Sequence, residues 1–594
     1  MKSIATIVAF LVAAVGSGCG GGGNSGSNSG IGLSLSDSTV QGFTGQGSVV
    51  VNATITRTGT VGSVTLSVTG LPAGASATVE NPGAGNAGSI TISPGTALAG
   101  IYSLTVQATD GTVSGEANLS LTVGAVVQIS NSVKGTFGVA MSTSFQPAEW
   151  DYQFFTMNPS ATTTLGNLLP NHIRLQAISQ GVPQGAEGSS SNAWDFTILD
   201  AITQPVLSVG DHSPEFQIAK APAFMYQNDD FSSSFQDLTF QQFAGYTQNL
   251  VEYYDTGGFT VNGQKYVSPA YPGETVTWWG IYNEPNINNN LTTDQYVTMY
   301  NTVVPAMQAV DPLNLKFVGL ELADFSGQAP AWVPPFVQGV TAQVDAMATH
   351  FYSTCNQKDT DATVFGTIPG FVSDVELFYQ TMATNPALAS VPVWVTENNV
   401  NADYDTGNGM SACNPGQKFV VDPRGSSAFF AAWRPYVFSQ LGKAGVRALY
   451  HWDFDADQQF GEVVYATDAL ELSYWVDYWL GRTFPATPAE NLLEYTATDD
   501  GELETLPVMK GDGSVIVMMA NHAVNAPSDD NGPGAPRAML VDVSALGSFS
   551  SASLLVMDKN TNVANGPTAT ALTPAAQMTI NFGGYGVAIL TLTP

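Results

Sequence analysis

Between about residues 130 and 486, short apolar runs alternate eight times with longer stretches of helical periodicity. The runs are Phe137–Met141, His172–Ile178, Pro205–Gly210, Val276–Tyr282, Lys316–Glu321, Asp345–Tyr352, Val393–Glu397 and Arg447–Phe454. Between them Thr239–Asp255, Thr293–Val310, Val372–Thr384 and Ser426–Ala444 read as helices. Strand–helix alternation builds a parallel sheet covered by helices, and eight repeats predict a (β/α)8 TIM barrel with generous loops. A doubly wound open sheet is the alternative, but no glycine-rich phosphate loop follows the first run.

The flanks have a different texture. Residues 32–125 carry short alternating runs at Ser48–Ile55, Gly62–Val68, Ser89–Ile92, Ile101–Ala108 and Ala117–Val123, separated by turn signals such as Asp110-Gly111. They read as a β-sandwich, and Gly70-Leu-Pro-Ala-Gly74 resembles the immunoglobulin-like modules of bacterial surface proteins. Phe43 and Tyr102 are its only aromatic residues, so it reads as a spacer, with glycan binding as the alternative. After Pro485-Ala-Thr-Pro488 the helical signal ends. Residues 487–594 then read as a C-terminal β-sandwich, to which Val126–Ser130 adds a strand; the barrel takes 126–486.

Length and charge narrow the function. A chain of 594 residues is too long for one core. Its 49 acidic against 17 basic residues give a net charge of −32, which repels nucleic acid and anionic lipid. At the N-terminus Lys2 precedes the apolar run Ile4–Val15, too short to span a bilayer and suited to a signal peptide. Gly16-Ser-Gly18 then leads into Cys19 and a Gly/Ser tether over 19–31. This resembles a bacterial lipoprotein signal, although Gly16 stands where leucine is usual. The resemblance implies removal of residues 1–18, lipidation of Cys19, and an exported protein whose only hold on the membrane is that anchor. An ordinary signal peptide with an incidental cysteine is the alternative. With Cys19 lipidated, Cys355 and Cys413 remain as a pair in an oxidising compartment. Each lies in a loop after one of two consecutive strands, which places the loops side by side and predicts a disulfide. No zinc-type spacing of Cys and His occurs.

Two strands end on carboxylates. Thr277-Trp-Trp-Gly-Ile-Tyr-Asn-Glu-Pro285 is apolar and aromatic until Asn283-Glu284-Pro285, and Val391-Pro-Val-Trp-Val-Thr-Glu397 repeats the pattern. Pro285 cannot donate to a ladder, so the strand stops there. Both glutamates then sit at the C-terminal lip, where barrels carry their chemistry. By strand count they end strands four and seven, which face each other across the mouth. One carboxylic acid to protonate a leaving oxygen and one carboxylate to attack the sugar is the arrangement of glycoside hydrolysis.

Trp279-Gly-Ile-Tyr-Asn-Glu-Pro-Asn286 and Trp394-Val-Thr-Glu397 resemble the signatures of clan A glycoside hydrolases, the retaining 4/7 barrels. Asn283–Asn286, Tyr300 with Ala309-Val-Asp-Pro312, and His350-Phe-Tyr352 lean towards family 39, which holds β-xylosidases and α-L-iduronidases. The resemblance spans roughly 130–486 and implies a retaining glycosidase acting on a carbohydrate such as a β-xyloside or β-glucan. It makes Glu284 the general acid/base, kept protonated by burial against Trp278, Trp279 and Tyr282, and Glu397 the nucleophile. Asn283 would bond the sugar 2-hydroxyl and Arg174 would hold Glu397 ionised. His350 and Tyr352 would line the same face, and Trp452 would floor a sugar ring. Arg174 as a structural ion pair, His350 as an interior histidine and Trp452 as core packing are the competing readings. His212, in Asp211-His-Ser-Pro-Glu215, is a candidate subsite residue. No cofactor is expected, and Asp453-Phe-Asp-Ala-Asp457 lacks the glycine a calcium loop needs. The rival readings are a non-catalytic glycan-binding lipoprotein and a transglycosylase using the same two glutamates.

Overall fold

A computed structural model describes residues 29–145, 153–168, 173–177, 181–186, 189–209, 215–323, 329–455, 459–499 and 501–594. The signal peptide, Cys19 and His212 lie outside these. None of the described helices is long and apolar enough to cross a membrane. The chain divides into two compact units, the smaller ending at Leu121. In it Gly30–Leu35, Val49–Thr58, Ala87–Ser93 and Ser76–Glu80 form an antiparallel four-stranded sheet in that order. Val51, Ala53 and Ile55 alternate inward from the long second strand, as one buried face requires.

The larger unit contains a closed barrel of eight parallel strands. They are β1 (Ala140–Phe145), β2 (Ile173–Ala177), β3 (Glu215–Ile218), β4 (Trp278–Ile281), β5 (Lys316–Leu322), β6 (Ala346–Thr354), β7 (Val393–Asn401) and β8 (Ala448–His451). β8 closes on β1, pairing Ala448 with Ala140. Helices Thr197–Ser208, Gln241–Asp255, Thr293–Gln308, Ile368–Met382 and Ala428–Ala444 follow strands in alternation.

One expected strand is misplaced. Pro205–Gly210 begins in the last turn of the helix Thr197–Ser208, and the third strand is Glu215–Ile218 instead. The cause is an inverted pattern. In Glu215-Phe-Gln-Ile218 the polar residues face the barrel interior and the apolar ones face the helices, so the strand does not read as an apolar run. Pro205-Val-Leu-Ser-Val does read as one, although Val206 and Leu207 are buried as part of a helix.

The barrel floor holds two tryptophans. Trp278 of β4 and Trp394 of β7 lie with ring centroids 4.5 Å apart, among Ala140, Val318, Ala346, Ala348, Ala448 and Tyr450. Small residues on the neighbouring strands make room for two large rings, which is the layered filling of a packed barrel.

Beside the barrel lies an antiparallel sheet system built from Glu490–Ala497, Leu503–Met509, Val515–Asn521, Arg537–Asp542, Ser551–Asp558, Gln577–Phe582 and Gly586–Thr593. Residues 125–137, from the strand Ser114–Phe137, insert between two of these, antiparallel to Glu490–Ala497 and parallel to Arg537–Asp542. The helix Ala428–Ala444 is buried on nearly every side, because it packs on the barrel with one face and on this sandwich with another. Ser427 caps its start and Gly445, at φ 106°, its end. Asp361 ties the two parts together: it accepts the N–H groups of Asn531 and Gly532, each at 2.8 Å, and the hydroxyl of Tyr585 at 3.0 Å.

Candidate active site

Strand ends converge at the C-terminal lip. β2 supplies Arg174, the turn after β4 supplies Asn283 and Glu284, β5 supplies Glu321, β6 supplies His350 and Tyr352, and β7 supplies Glu397. Tyr282, Glu284, Leu320 and Glu321 all have positive φ, at 71°, 47°, 76° and 43°. Non-glycine residues adopt that region at a cost, and such residues gather at functional sites. The turn is held by backbone pairing: Glu284 N–H donates to the Glu321 carbonyl at 3.0 Å. Asn286 completes it, its amide donating to the Ala323 carbonyl at 3.0 Å and its oxygen accepting the Ala323 N–H at 2.9 Å.

Arg174 is fully buried and organises the acidic groups. Its Nε and Nη2 donate to Glu321 Oε2 at 3.1 and 2.8 Å, its Nη1 to Glu397 Oε1 at 3.0 Å, and its Nη2 also to Asn283 Oδ1 at 2.9 Å. The guanidinium carbon stands 6.0 Å from the centroid of the half-buried Trp452 ring. Such contacts are favourable when the cation is desolvated.

His350 joins the two glutamates. Its Nδ1 lies 2.9 Å from Glu284 Oε1 and 3.3 Å from Glu397 Oε2. Tyr352 donates its hydroxyl to Glu397 Oε2 at 2.9 Å. Burial pushes His350 down to about 3, so the ring is neutral at physiological pH. Its Nε2 has no hydrogen-bond partner among the described residues, which favours the tautomer with hydrogen on Nδ1. Burial pushes Glu284 up to about 7, against the opposing charges of Arg174 and Lys220. A carboxylate oxygen of Glu284 lies within 4.8 Å of one of Glu397. Glu284 keeps 20% of its side chain exposed and Glu397 7%, so both can be reached from the mouth.

The structure thus brings together Glu284, Glu397, Asn283, Arg174, His350 and Tyr352, with Trp452 beside Arg174. Three aromatic side chains are placed differently from the sequence reading. Trp279 packs against Phe216 and Tyr254 on the helix-facing side, and Tyr282 packs against Phe235 and Phe243. Trp278 lies in the barrel floor. Glu284 is desolvated by the enclosed mouth rather than by a shared aromatic wall. Cys355 and Cys413 form the expected disulfide, their Cα atoms 5.8 Å apart, between the loops after β6 and β7.

Two acidic residues were missed, Glu321 and Glu215. Glu321 ends an apolar strand as Glu284 and Glu397 do, so the same signal was available. Glu215 sits on the inverted strand β3 and gave no signal. Among the described residues, two groups of side chains offer metal-ligand types, Glu284–His350–Glu397 and His451–Glu462–Asp477. In the second, His451 Nδ1 lies 2.8 Å from Asp477, its Nε2 lies 2.7 Å from the Phe460 carbonyl, and Arg434 pairs with Asp477. In the first, Arg174 and Tyr352 already occupy both oxygens of Glu397. Neither donor set is free for a cation.

Residues 268–418, which carry Glu284, His350, Tyr352 and Glu397, match the model of the glycosyl hydrolase catalytic core. No curated protein matches the chain. Among solved structures, a family 51 α-L-arabinofuranosidase from Bifidobacterium longum aligns with a TM-score of 0.54 at 10% identity, covering 79% of this chain and 99% of its own. The glycoside hydrolase family 30 subfamily 8 xylanase from Clostridium acetobutylicum aligns at 0.51 and 13% identity, again over 79% and 99%. A family 51 arabinofuranosidase from Xanthomonas axonopodis pv. citri gives 0.52 and 11%, over 79% and 100%. At these identities the likeness is one of fold. With the matched catalytic core it makes this chain a glycoside hydrolase by class.

Proposed function

We propose that the protein is a retaining glycosidase working by double displacement, with Glu397 as nucleophile and Glu284 as general acid/base. The observation that carries this reading is the spacing of the two carboxylates, within 4.8 Å oxygen to oxygen. Retaining enzymes place their carboxyl groups about 5–5.5 Å apart, whereas inverting ones leave about 6.5–9.5 Å for a water. In the first step Glu397 attacks the anomeric carbon while Glu284 gives its proton to the departing oxygen. In the second, Glu284 takes a proton from water, which displaces the Glu397 ester. Arg174 and the Tyr352 hydroxyl orient one oxygen of Glu397 each, and His350 keeps the two carboxyl groups in register without adding charge.

The family 39-like signature Asn283–Asn286 with His350-Phe-Tyr352 makes β-linked xylosides the first substrates to test, with β-glucans next. Asn283 is assigned to the sugar 2-hydroxyl and Trp452 to ring stacking. Export and anchoring through Cys19 belong to the same reading, and place the barrel where extracellular polysaccharide fragments are met.

The test is a screen of nitrophenyl glycosides and polysaccharides with the wild type and Glu397→Ala, with the anomeric product followed by NMR. Retention in the wild type and loss of activity in the variant, on the order of 10⁴-fold, are expected. Equal activity in both would sink the nucleophile assignment, and an inverted product would sink the mechanism.

A further inference from the structure

The guanidinium of Arg174 gives more of its hydrogen bonds to a fully buried carboxyl group, that of Glu321, than to the proposed nucleophile. Glu321 Oε2 receives both Nε and Nη2, while Glu397 receives Nη1 alone. Glu321 is fully buried below the lip. Its other oxygen, Oε1, accepts no hydrogen bond by distance and angle among the described residues and reaches into the space above Gly280. Glu215 Oε1 reaches the same space. A Cβ on Gly280 would stand 2.1 Å from the Glu321 oxygen and 3.0 Å from the Glu215 oxygen. The glycine on β4 therefore makes room for two buried carboxyl groups side by side.

Charge in this enclosure does not balance if every acid ionises. The groups facing Arg174 and Glu321 are Glu215 from β3, Glu284 from the β4 turn, His350 and Tyr352 from β6, Glu397 from β7, and Tyr296 and Tyr300 from the helix after β4. Tyr450 of β8 meets Glu215, and Lys220 bears on Glu284. One guanidinium cannot offset three carboxylates in a low dielectric, so a proton must remain within the Glu215–Glu321 pair. Burial raises both carboxyl groups, and the two hydrogen bonds that Arg174 gives to Glu321 leave Glu215 as the one that keeps the proton.

We propose that Glu321, backed by Glu215, is a positioning residue that divides the charge of Arg174 between itself and Glu397. This rests on the retaining reading above. With Glu321 ionised, Arg174 is largely neutralised and Glu397 keeps its nucleophilic strength for attack on the anomeric carbon. Without that negative charge, the full guanidinium bears on Glu397, which then attacks more slowly and leaves more readily as an ester.

The experiment compares wild type, Glu321→Gln and Glu321→Asp by kcat/KM from pH 4 to 9, together with the burst kinetics of a dinitrophenyl glycoside. Glu321→Gln is expected to move the acidic limb down by about one pH unit and to slow the glycosylation step about tenfold, with ester hydrolysis unslowed. Glu321→Asp keeps the charge but draws it one methylene back from Arg174, so it should move the limb in the same direction by less; it carries the test if the glutamine variant does not fold. An acidic limb unmoved in the folded variants, with only kcat and KM scaled, overturns the positioning role and leaves the retaining reading intact. A wild type that inverts, or that is unaffected by Glu397→Ala, overturns both.

Discussion

Glu284 and His350 stand 2.9 Å apart, Oε1 to Nδ1, and it is the carboxyl group rather than the imidazole that holds the titrating proton. Burial drives the acid up to about 7 and the base down to about 3, so each is neutral across the weakly acidic range. A general acid must carry its proton, so kcat/KM should fall above about pH 7, tenfold per unit. Lys220 opposes this shift, and Lys220→Met should move the basic limb upward. A pH–rate profile of the two proteins checks the sign; a downward move would contradict the assignment.

The acid/base role also predicts a dependence on leaving group. Glu284→Gln should slow hydrolysis of substrates with alkoxide leaving groups by about 10²–10⁴-fold. Dinitrophenyl glycosides, which depart without protonation, should lose far less in their first step. A plot of rate against leaving-group acidity for both proteins tests this, and parallel losses across the series would count against it.

Gly280 is expected to tolerate no side chain. Gly280→Ala drives a methyl group into Glu321, with Glu215 and Gln217 close behind. Overpacking of this kind costs about 1–3 kcal/mol. Activity should fall further than stability does, because the displaced carboxylate carries Arg174 with it. Thermal melts and kcat of the same preparation separate the two effects.

Asp361 is fully buried and satisfies two backbone N–H groups of the sandwich and one tyrosine hydroxyl. Asp361→Ala leaves those donors unpaired, and should cost about 2–4 kcal/mol in denaturant unfolding. An unchanged midpoint would mean that the contact does not fasten the two parts.

The disulfide Cys355–Cys413 closes 58 residues of chain across the loops after β6 and β7. Replacing both by serine should lower stability by about 2–4 kcal/mol. It should also raise KM on polymeric substrate more than on a nitrophenyl monosaccharide, since these loops border the mouth. Equal KM changes on both would assign the bridge to stability alone.

The barrel was legible because seven of its strands carry apolar runs that stop at a charged or polar lip. Glu284 and Glu397 were legible for the same reason: a carboxylate at the end of an apolar strand has few structural uses. The third strand was not, because Glu215 and Gln217 point inward and Phe216 and Ile218 outward. A barrel interior that is polar on one side reverses the pattern by which buried strands are recognised. Glu321 was visible as a strand end, but its meaning depends on Arg174 reaching across from β2, a contact 147 residues away in the chain. His350 read ambiguously because an interior histidine and a site histidine look alike at the end of an apolar strand, and only its approach to Glu284 and Glu397 tells them apart.

The segment 125–137 is synthesised before the barrel, yet both strands that flank it, Glu490–Ala497 and Arg537–Asp542, follow the barrel. At ordinary ribosomal rates that wait is on the order of half a minute. Throughout it Val126, Val127 and Ile129 have no sandwich to enter, so the nascent chain carries an open β-edge while the barrel assembles. Completion of the C-terminal half thus acts as a checkpoint on the whole: an arrested or clipped chain keeps a sticky edge and presents itself to quality control.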